Sequence, residues 1–293
     1  MQACVLTGVG TVVVEDRPRR VPAPHQVVVR VDAAGVCGTD VHQWEGTLPT
    51  EFPRVPGHDF AGTVVEVGAS VATEVGARAV VKPSFPCEAC DWCRRDAHEY
   101  CENKRLVGLW SDGCMTEYVA VPAVNLVPLP DGVSAEATAN LEPFAVALNT
   151  MTRVQPAIGE WVVVLGCGPI GLAQISMAKL SGARVVAVDI RAEALSMGTT
   201  FGADHTVDAA TDDVHAAVLE LTGDGADIVI EAAGTQPTVE SMVGLARKHG
   251  RLANVGIQTT MGHHDLVPFI LKSSPSMGWA ATAARASMRP VYG

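Results

Sequence analysis

VVVLGCGPIGLAQISMAKLSGARVVAVDIR, residues 162–191, decides the fold of the second half of this chain. Residues 162–165 are a short, wholly apolar, β-branched run, as a parallel strand buried on both faces requires. Gly166, Gly168 and Gly171 follow in the pattern G-x-G-x-x-G. Residues 170–180 then carry apolar positions at helical spacing, and Gly182 supplies a stop. A second apolar strand, residues 184–188, ends on Asp189. Gly166 permits a tight turn, Gly168 lets the backbone approach a pyrophosphate, and Gly171 lets helix and strand pack closely. The helix start offers free N–H groups and a positive dipole end to the phosphates. Asp189 stands where a carboxylate takes the ribose hydroxyls. A glycine-rich turn alone says little; flanked by two strands, a helix and an acid at this spacing, it reads as a dinucleotide site.

The alternation continues outward from that stretch. Residues 191–201, 212–221 and 238–248 read as helices, and 205–207, 228–230 and 252–255 as strands, giving a doubly wound parallel sheet. Residues 143–152 read as a helix that starts on its proline. Upstream the period changes. Short β-branched runs at 12–14, 27–31 and 63–67, with later strands at 117–121 and 125–128, are separated by Pro and Gly. That spacing suggests a small β-barrel or sandwich with long loops. The expected fold class is therefore α/β plus all-β, with a first domain over 1–150, a dinucleotide domain over 151–272 and a tail over 273–293.

Composition bounds the function. The 293 residues carry a formal net charge of −11, with 48% hydrophobic and 18% charged residues, as a globular chain with a sizeable core does. The acidity and the lack of any Lys/Arg run argue against nucleic acid or an anionic membrane as partner. No apolar run is long enough to span a bilayer. MQACVLTGVG lacks a basic segment followed by an apolar one, so the cytoplasm is the expected compartment.

Four of the eight cysteines stand together: Cys87, Cys90, Cys93 and Cys101, as C-x-x-C-x-x-C-x₇-C. Four thiolates this close can converge on one tetrahedral zinc, and a four-cysteine site is closed, hence structural. An iron–sulfur cluster or two disulfides are the alternatives. A cytoplasmic chain disfavours disulfides, and Cys101 precedes Glu102 where the bacterial ferredoxin run ends in Cys-Pro. A nucleic-acid zinc ribbon is disfavoured by Glu88, Asp91, Asp96 and Glu99 around it.

GVCGTDVH (35–42), GHDFAGTVVEVG (57–68), the cysteine cluster, LEPFAVAL (141–148) and VLGCGPIGL (164–172) together resemble the zinc-dependent medium-chain dehydrogenases, the alcohol, polyol and threonine dehydrogenase superfamily. The resemblance runs from residue 1 to about residue 272. It implies a GroES-like β-barrel catalytic domain followed by a Rossmann domain. It implies two zinc ions per chain, NAD, a small-molecule alcohol substrate, and a homo-dimer or homo-tetramer. Carried over by position, Cys37 and His58 are catalytic zinc ligands, and Glu142 matches the glutamate of the polyol branch. Asp59 stands where that branch has a glutamate, one methylene longer, and reaches the metal directly or through water. On this reading Glu142 is the principal carboxylate. Thr39 and His42 match a proton relay. The cofactor side takes Gly166, Gly168, Pro169, Ile170 and Gly171 at the pyrophosphate, then Asp189, Ile190 and Arg191 at the ribose, with Val255 and Gly256 beyond. Asp189 favours NAD over NADP by charge repulsion; Arg191 could offset it by swinging across.

The implied reaction is hydride transfer between NAD and a secondary alcohol: a polyol, sugar or amino-alcohol. L-threonine 3-dehydrogenase is the alternative, since it shares the zinc constellation. From Ser273 the pattern is lost, and family members usually continue further. The ending therefore suggests an exposed sheet edge, impaired pairing of subunits, and a weakly active or non-catalytic dinucleotide-binding protein. His263, His264 and Asp265 read as a surface loop.

Overall fold

The computed structural model describes residues 1–258, the Glu99 side chain apart, and the chain divides into two compact units, Met1–Glu142 and one that begins at Pro143. The expected tail and the His263–Asp265 loop lie outside the described residues.

In the first unit, β1 (Gln2–Gly8) and β2 (Thr11–Asp16) form an antiparallel hairpin. There follow β3 (Gln26–Ala34), α1 (Gly38–Glu45), β4 (Phe60–Val67), β5 (Arg78–Val81), β6 (Ser84–Phe85), α2 (Asp91–Arg94), β7 (Arg105–Leu106), β8 (Tyr118–Pro122), β9 (Leu126–Pro128) and α3 (Ala135–Ala139). The main sheet is antiparallel, in the order β8-β3-β4-β5-β9. Its buried face gathers Val27, Val29, Phe60, Val64, Val119 and Val121. Burying side chains of this size is worth about 1.5–3 kcal/mol each. The short strands β6 and β7 pair with each other and bracket the cysteine lobe.

The second unit is built on α4 (Leu141–Val154), whose first two residues belong to the first unit, β10 (Trp161–Leu165), α5 (Pro169–Leu180), β11 (Arg184–Asp189), α6 (Ala192–Thr200), β12 (His205–Asp208), α7 (Val214–Thr222), β13 (Ala226–Glu231), α8 (Gln236–Leu245) and β14 (Ala246–Asn254). Its sheet is wholly parallel, ordered β12-β11-β10-β13-β14. Alternate residues of each strand feed opposite cores. Val162, Val164, Val185, Ala187, Ile228 and Ile230 pack with Met151 of α4, Ile175 of α5 and Leu195 of α6. Val163, Leu165, Val186, Val188 and Val229 pack with Val218 of α7 and Val239 and Met242 of α8. Helices on both faces explain why the strands read as unbroken apolar runs.

Two boundaries differ from the sequence expectation. The division lies between Glu142 and Pro143, not near 150, and α4 begins at Leu141 rather than on its proline. Proline costs nothing in a first turn, whose N–H groups have no intrahelical partner. Helix α8 ends at Leu245, and β14 starts at Ala246 with a register shift against β13. His249, at φ 61°, and Gly250 take up the extra residues. Apolar periodicity does not report such a bulge.

Candidate metal centres and dinucleotide site

The cysteine lobe is a local construction. Cys90 caps the one-turn helix α2, and Glu88 and Asp96 adopt left-handed φ of 56° and 57° to fold the chain back. The four Sγ atoms of Cys87, Cys90, Cys93 and Cys101 lie within 4.8 Å of one another, and all eight cysteines of the chain are free. Backbone N–H groups aim at sulfur: Cys87 N–H donates to Cys101 Sγ at 3.2 Å and Cys90 N–H to Cys87 Sγ at 3.4 Å. The N–H groups of Ala89 and Cys90 pull the Cys87 thiol down to about 6. Burial, with hydrogen bonds shared among the sulfurs, pushes Cys93 up to about 12. A divalent cation removes the conflict, because every thiol then ionises onto it. The donor set fits zinc.

The second cluster is assembled from a distance. Cys37 is the N-cap of α1, and a capping box ties it to Asp40: Cys37 N–H donates to Asp40 Oδ2 at 2.8 Å. Asp40 Oδ1 accepts from Gly57 N–H at 2.9 Å, so one buried carboxylate holds both the helix start and the loop that carries His58 and Asp59. Around Gly57 the backbone crossing is tight. A Cβ on Gly57 would sit 2.8 Å from Cys114 Sγ, and Cβ atoms on Gly108 and Gly113 would sit 2.5 and 2.2 Å from the Gly57 carbonyl oxygen.

These contacts bring Cys37, His58 and Asp59 together with ligand atoms within 4.8 Å. His58 Nδ1 and Asp59 Oδ1 are buried with no hydrogen-bond partner. Burial pushes Asp59 up to about 8, assisted by the charges of Glu142 and Asp40. Burial likewise raises Glu142 to about 7 and Cys37 to about 11, and lowers His58. Two carboxylates, a thiol and an imidazole held this way lack a compensating positive charge, and a zinc ion fits that deficit. Glu142 stands near enough for its charge to act on Asp59 and Cys37, yet it is not in the close set; Asp59 is. On sequence both carboxylates are expected at the metal, with Glu142 the stronger; the structure puts Asp59 nearer to Cys37 and His58. Thr39 is buried with Oγ1 3.7 Å from Cys37 Sγ. His42 instead pairs with Thr47 Oγ1 at 3.1 Å and faces Glu45 at 3.7 Å; it is not hydrogen-bonded to Thr39.

In the second unit the glycine turn has the expected form. Gly166 has φ +95°, and a Cβ on Gly171 would lie 1.8 Å from the Gly166 carbonyl oxygen. Gly168 is the N-cap of α5, with Pro169 at its first position and Ile170 packed on the core. Nothing lies within 4 Å of where a Gly168 Cβ would be, so the helix start is open to a ligand backbone. Asp189 closes the turn: Oδ2 accepts from Cys167 N–H at 2.8 Å, and Oδ1 accepts from Arg191 N–H at 3.0 Å and its Nε at 3.4 Å. Ile190 is 68% exposed, whereas the Asp189 side chain is 8% exposed. Val255 and Gly256 both donate to the Glu231 carbonyl. A cradle of this chemistry fits a dinucleotide.

Two residues escaped the sequence reading. Asp40 is one; its only trace is an acid three residues after Cys37, the capping-box spacing. Glu231 is the other. It is fully buried at the end of β13, and its Oε1 accepts from Ala233 N–H, Gly234 N–H and the Thr238 hydroxyl at 2.7–2.9 Å. Its trace is a charge closing an otherwise apolar strand.

Comparison with known proteins agrees with this geometry. Residues 23–131 match the family described as alcohol dehydrogenase GroES-like domain, and residues 169–289 match zinc-binding dehydrogenase. The chain belongs to the zinc-binding, GroES-like alcohol dehydrogenase family. It is an oxidoreductase of the alcohol and polyol dehydrogenase class, with zinc and a nicotinamide dinucleotide, NAD(P), as cofactors.

Its relatives range over several alcohols. A sorbitol dehydrogenase of Halalkalibacterium halodurans is 34% identical over 88% of this chain and 77% of its own length. An L-threonine 3-dehydrogenase of Rhizobium etli is 36% identical over 83% and 72%. Among solved structures, a zinc-binding dehydrogenase of Sinorhizobium meliloti bound to NADP superposes with a TM-score of 0.87 at 31% identity, over 99% of this chain and 88% of that one. Galactitol-1-phosphate dehydrogenase of Escherichia coli gives 0.86 at 27% identity, over 100% and 90%. Among the described residues no helix is long and apolar enough to cross a membrane.

Proposed function

We propose that the chain oxidises a secondary alcohol of the polyol, sugar or amino-alcohol type, with NAD as hydride acceptor. Cys37, His58 and Asp59 hold one zinc, Glu142 stands beside them, and Cys87, Cys90, Cys93 and Cys101 hold a second. The observation that carries this reading is the convergence of the ligand atoms of Cys37, His58 and Asp59 within 4.8 Å of one another, with Asp59 Oδ1 making no hydrogen bond and standing 3.9 Å from His58 Nε2 while Asp40 Oδ1 faces His58 Nδ1 at 3.8 Å. When bound, zinc acidifies an alcohol hydroxyl and the nicotinamide accepts hydride from the adjacent carbon. The chain's own residues do the rest. Thr39 offers a buried hydroxyl beside Cys37 to receive the alcohol's proton. As Thr39 accepts that proton it would give up its own to an intervening water, and His42, bonded to Thr47 and half-exposed, would receive it there and release a proton to solvent. Asp40 fixes the spacing of Cys37 and the His58 loop.

Asp189 supports NAD. Two charges about 4 Å apart at an effective dielectric near 20 repel by about 4 kcal/mol, and a 2′-phosphate would meet that repulsion. The contact of Arg191 with the same carboxylate reduces it. The expected preference for NAD is therefore about 10- to 100-fold in kcat/KM, rising in Arg191→Ala. Steady-state kinetics with both cofactors check this; a preference for NADP overturns it. Threonine is the competing substrate, supported by the 36% identity to a threonine dehydrogenase. Turnover on a panel of sorbitol, xylitol, 2,3-butanediol and threonine, with zinc analysis of the same protein, tests the whole reading. A working homo-dimer or homo-tetramer is the expected assembly, which light scattering measures.

A further inference from the structure

A groove of about 710 Å³ in the first unit is lined by Arg54, Asn103, Lys104, Arg105 and Trp110, with Glu51 at its rim. Its charge balance is unlike that of the chain as a whole, which is −11. The Arg54 side chain is 13% exposed, yet its Nε is buried without a partner. Its two acids stand at 3.7 Å (Glu51, itself 97% exposed) and 4.0 Å (Asp112). Asp112 is shared besides with Arg17 at 3.9 Å and Arg20 at 3.2 Å, so one carboxylate faces three guanidinium groups. Arg105 makes no ion pair among the described residues. A nearly buried cation so weakly compensated is costly unless a further anion meets it. Trp110, 53% exposed, adds an open indole face, a surface suited to the C–H bonds of a carbohydrate chain.

The groove walls are tied to the metal cluster. The loop before Pro49 and Thr50 bonds back to α1: Leu48 N–H and the Thr47 hydroxyl donate to the His42 carbonyl at 3.1 and 3.3 Å. The opposite wall, Leu109 and Trp110, follows Gly108, whose carbonyl accepts from Gln43 Nε2 at 3.1 Å and whose Cα packs against Gly57, next to His58.

We propose that this groove receives the anionic end, a phosphate or a carboxylate, of a sugar- or polyol-type substrate. Arg54 and Arg105 hold the charge and Trp110 lies along the carbon chain. The proposal rests on the dehydrogenase reading and narrows its substrate class.

The experiment compares sorbitol, sorbitol 6-phosphate and gluconate with the zinc-loaded full chain, by steady-state kinetics and, separately, by isothermal titration. One anionic compound is expected to exceed sorbitol at least about tenfold in kcat/KM, and which one does so distinguishes phosphate from carboxylate. That ratio is expected to fall about tenfold in Arg105→Ala, as loss of a charge-assisted hydrogen bond implies. It is also expected to fall with added salt. Arg105 is exposed, so the variant keeps its fold, and an unchanged melting temperature verifies that. Oxidation of sorbitol with no advantage for either anion overturns the groove and leaves the dehydrogenase intact. Binding of an anion that Arg105→Ala does not weaken overturns it as well, as does binding without kinetic preference. Anion binding lost in Arg105→Ala, with no alcohol oxidised, leaves an anion site but overturns its assignment to a dehydrogenase substrate, together with the proposed activity.

Discussion

The two candidate metal clusters of the first unit are assembled by opposite means. The cysteine lobe takes four identical ligands from fifteen consecutive residues, 87–101, and folds them with one helical turn and two left-handed residues. The Cys37 cluster takes three different ligands from a helix cap and a distant loop, and it needs Asp40 and a crossing of glycine backbones to align them. The first arrangement closes a metal off; the second leaves donors of mixed charge around a position that a substrate can share. The lesson is that a structural site can be local and redundant, whereas a reactive one is held by the fold.

The comparison can be broken most sharply at the lobe. Stripping its metal, or Cys93→Ser, removes a binding free energy on the order of 10 kcal/mol from a segment with little core of its own. The expected outcome is rapid proteolytic cleavage between residues 87 and 101 while the parallel-sheet unit stays resistant, read by mass spectrometry of timed digests. If the segment resists cleavage without metal, the lobe is not a metal-folded element. Next in size is Cys37→Ala. It is expected to lower kcat/KM about 10³-fold, since several kcal/mol of charge stabilisation are lost at the reacting oxygen. It should shift the melting temperature less than Cys93→Ser does. A larger thermal effect at Cys37 would invert the assignment of the two clusters.

A smaller contrast lies within the second cluster. Asp59→Asn is expected to lower zinc affinity about 10- to 100-fold, and Glu142→Ala by less, within the range that outer ligand partners command. Competition with a chelating dye measures both, and the reverse order would make Glu142 the principal carboxylate.

The smallest effect contrasts the units themselves. In the parallel-sheet unit the carboxylates of Asp227, Glu160 and Asp204 are held below their usual range. Burial pushes each upward. Hydrogen bonds and charge from Arg247, Arg251 and Lys179, with backbone N–H groups, outweigh it. A depressed carboxylate adds stability above its unfolded value, about 3.9 for Asp, and loses it as pH falls through the lower folded value. Melting curves should therefore show Asp227→Asn less stable than the parent at pH 6, with the gap closing towards pH 3. A gap independent of pH would mean that Asp227 contributes only shape.

How much of this was legible in the sequence follows the same local-versus-distant line. The glycine turn, its strands and the four cysteines are each complete within a few tens of residues, so spacing alone carries them. The order of helices and strands after Pro143 was legible because each strand is apolar on both faces. Cys37, His58 and Glu142 were accessible only through resemblance, since no periodicity links positions so far apart. Spacing could not rank Asp59 against Glu142; the Gly57 loop delivers Asp59 alongside His58, which is why Asp59 is the one proposed here as ligand. Asp40 and Glu231 were invisible for a related reason. Their work is to accept backbone N–H groups from a remote or neighbouring turn, and a backbone donor has no letter in the sequence.

The glycine crossing beside His58 has a consequence for anyone who would re-engineer this chain. Gly57 comes from one loop and Gly108 and Gly113 from another, the stretch between β7 and β8, and both Gly108 and Gly113 approach the Gly57 backbone too closely to leave room for a methyl group. None of them touches a ligand through a side chain. In a saturation-mutagenesis map of folding they should nevertheless form an island of intolerance as deep as that of the proposed metal ligands, while their neighbours Leu109 and Trp110 change substrate choice without loss of fold. Libraries meant to alter which alcohol is accepted should spend their diversity on those two neighbours and leave the glycines fixed.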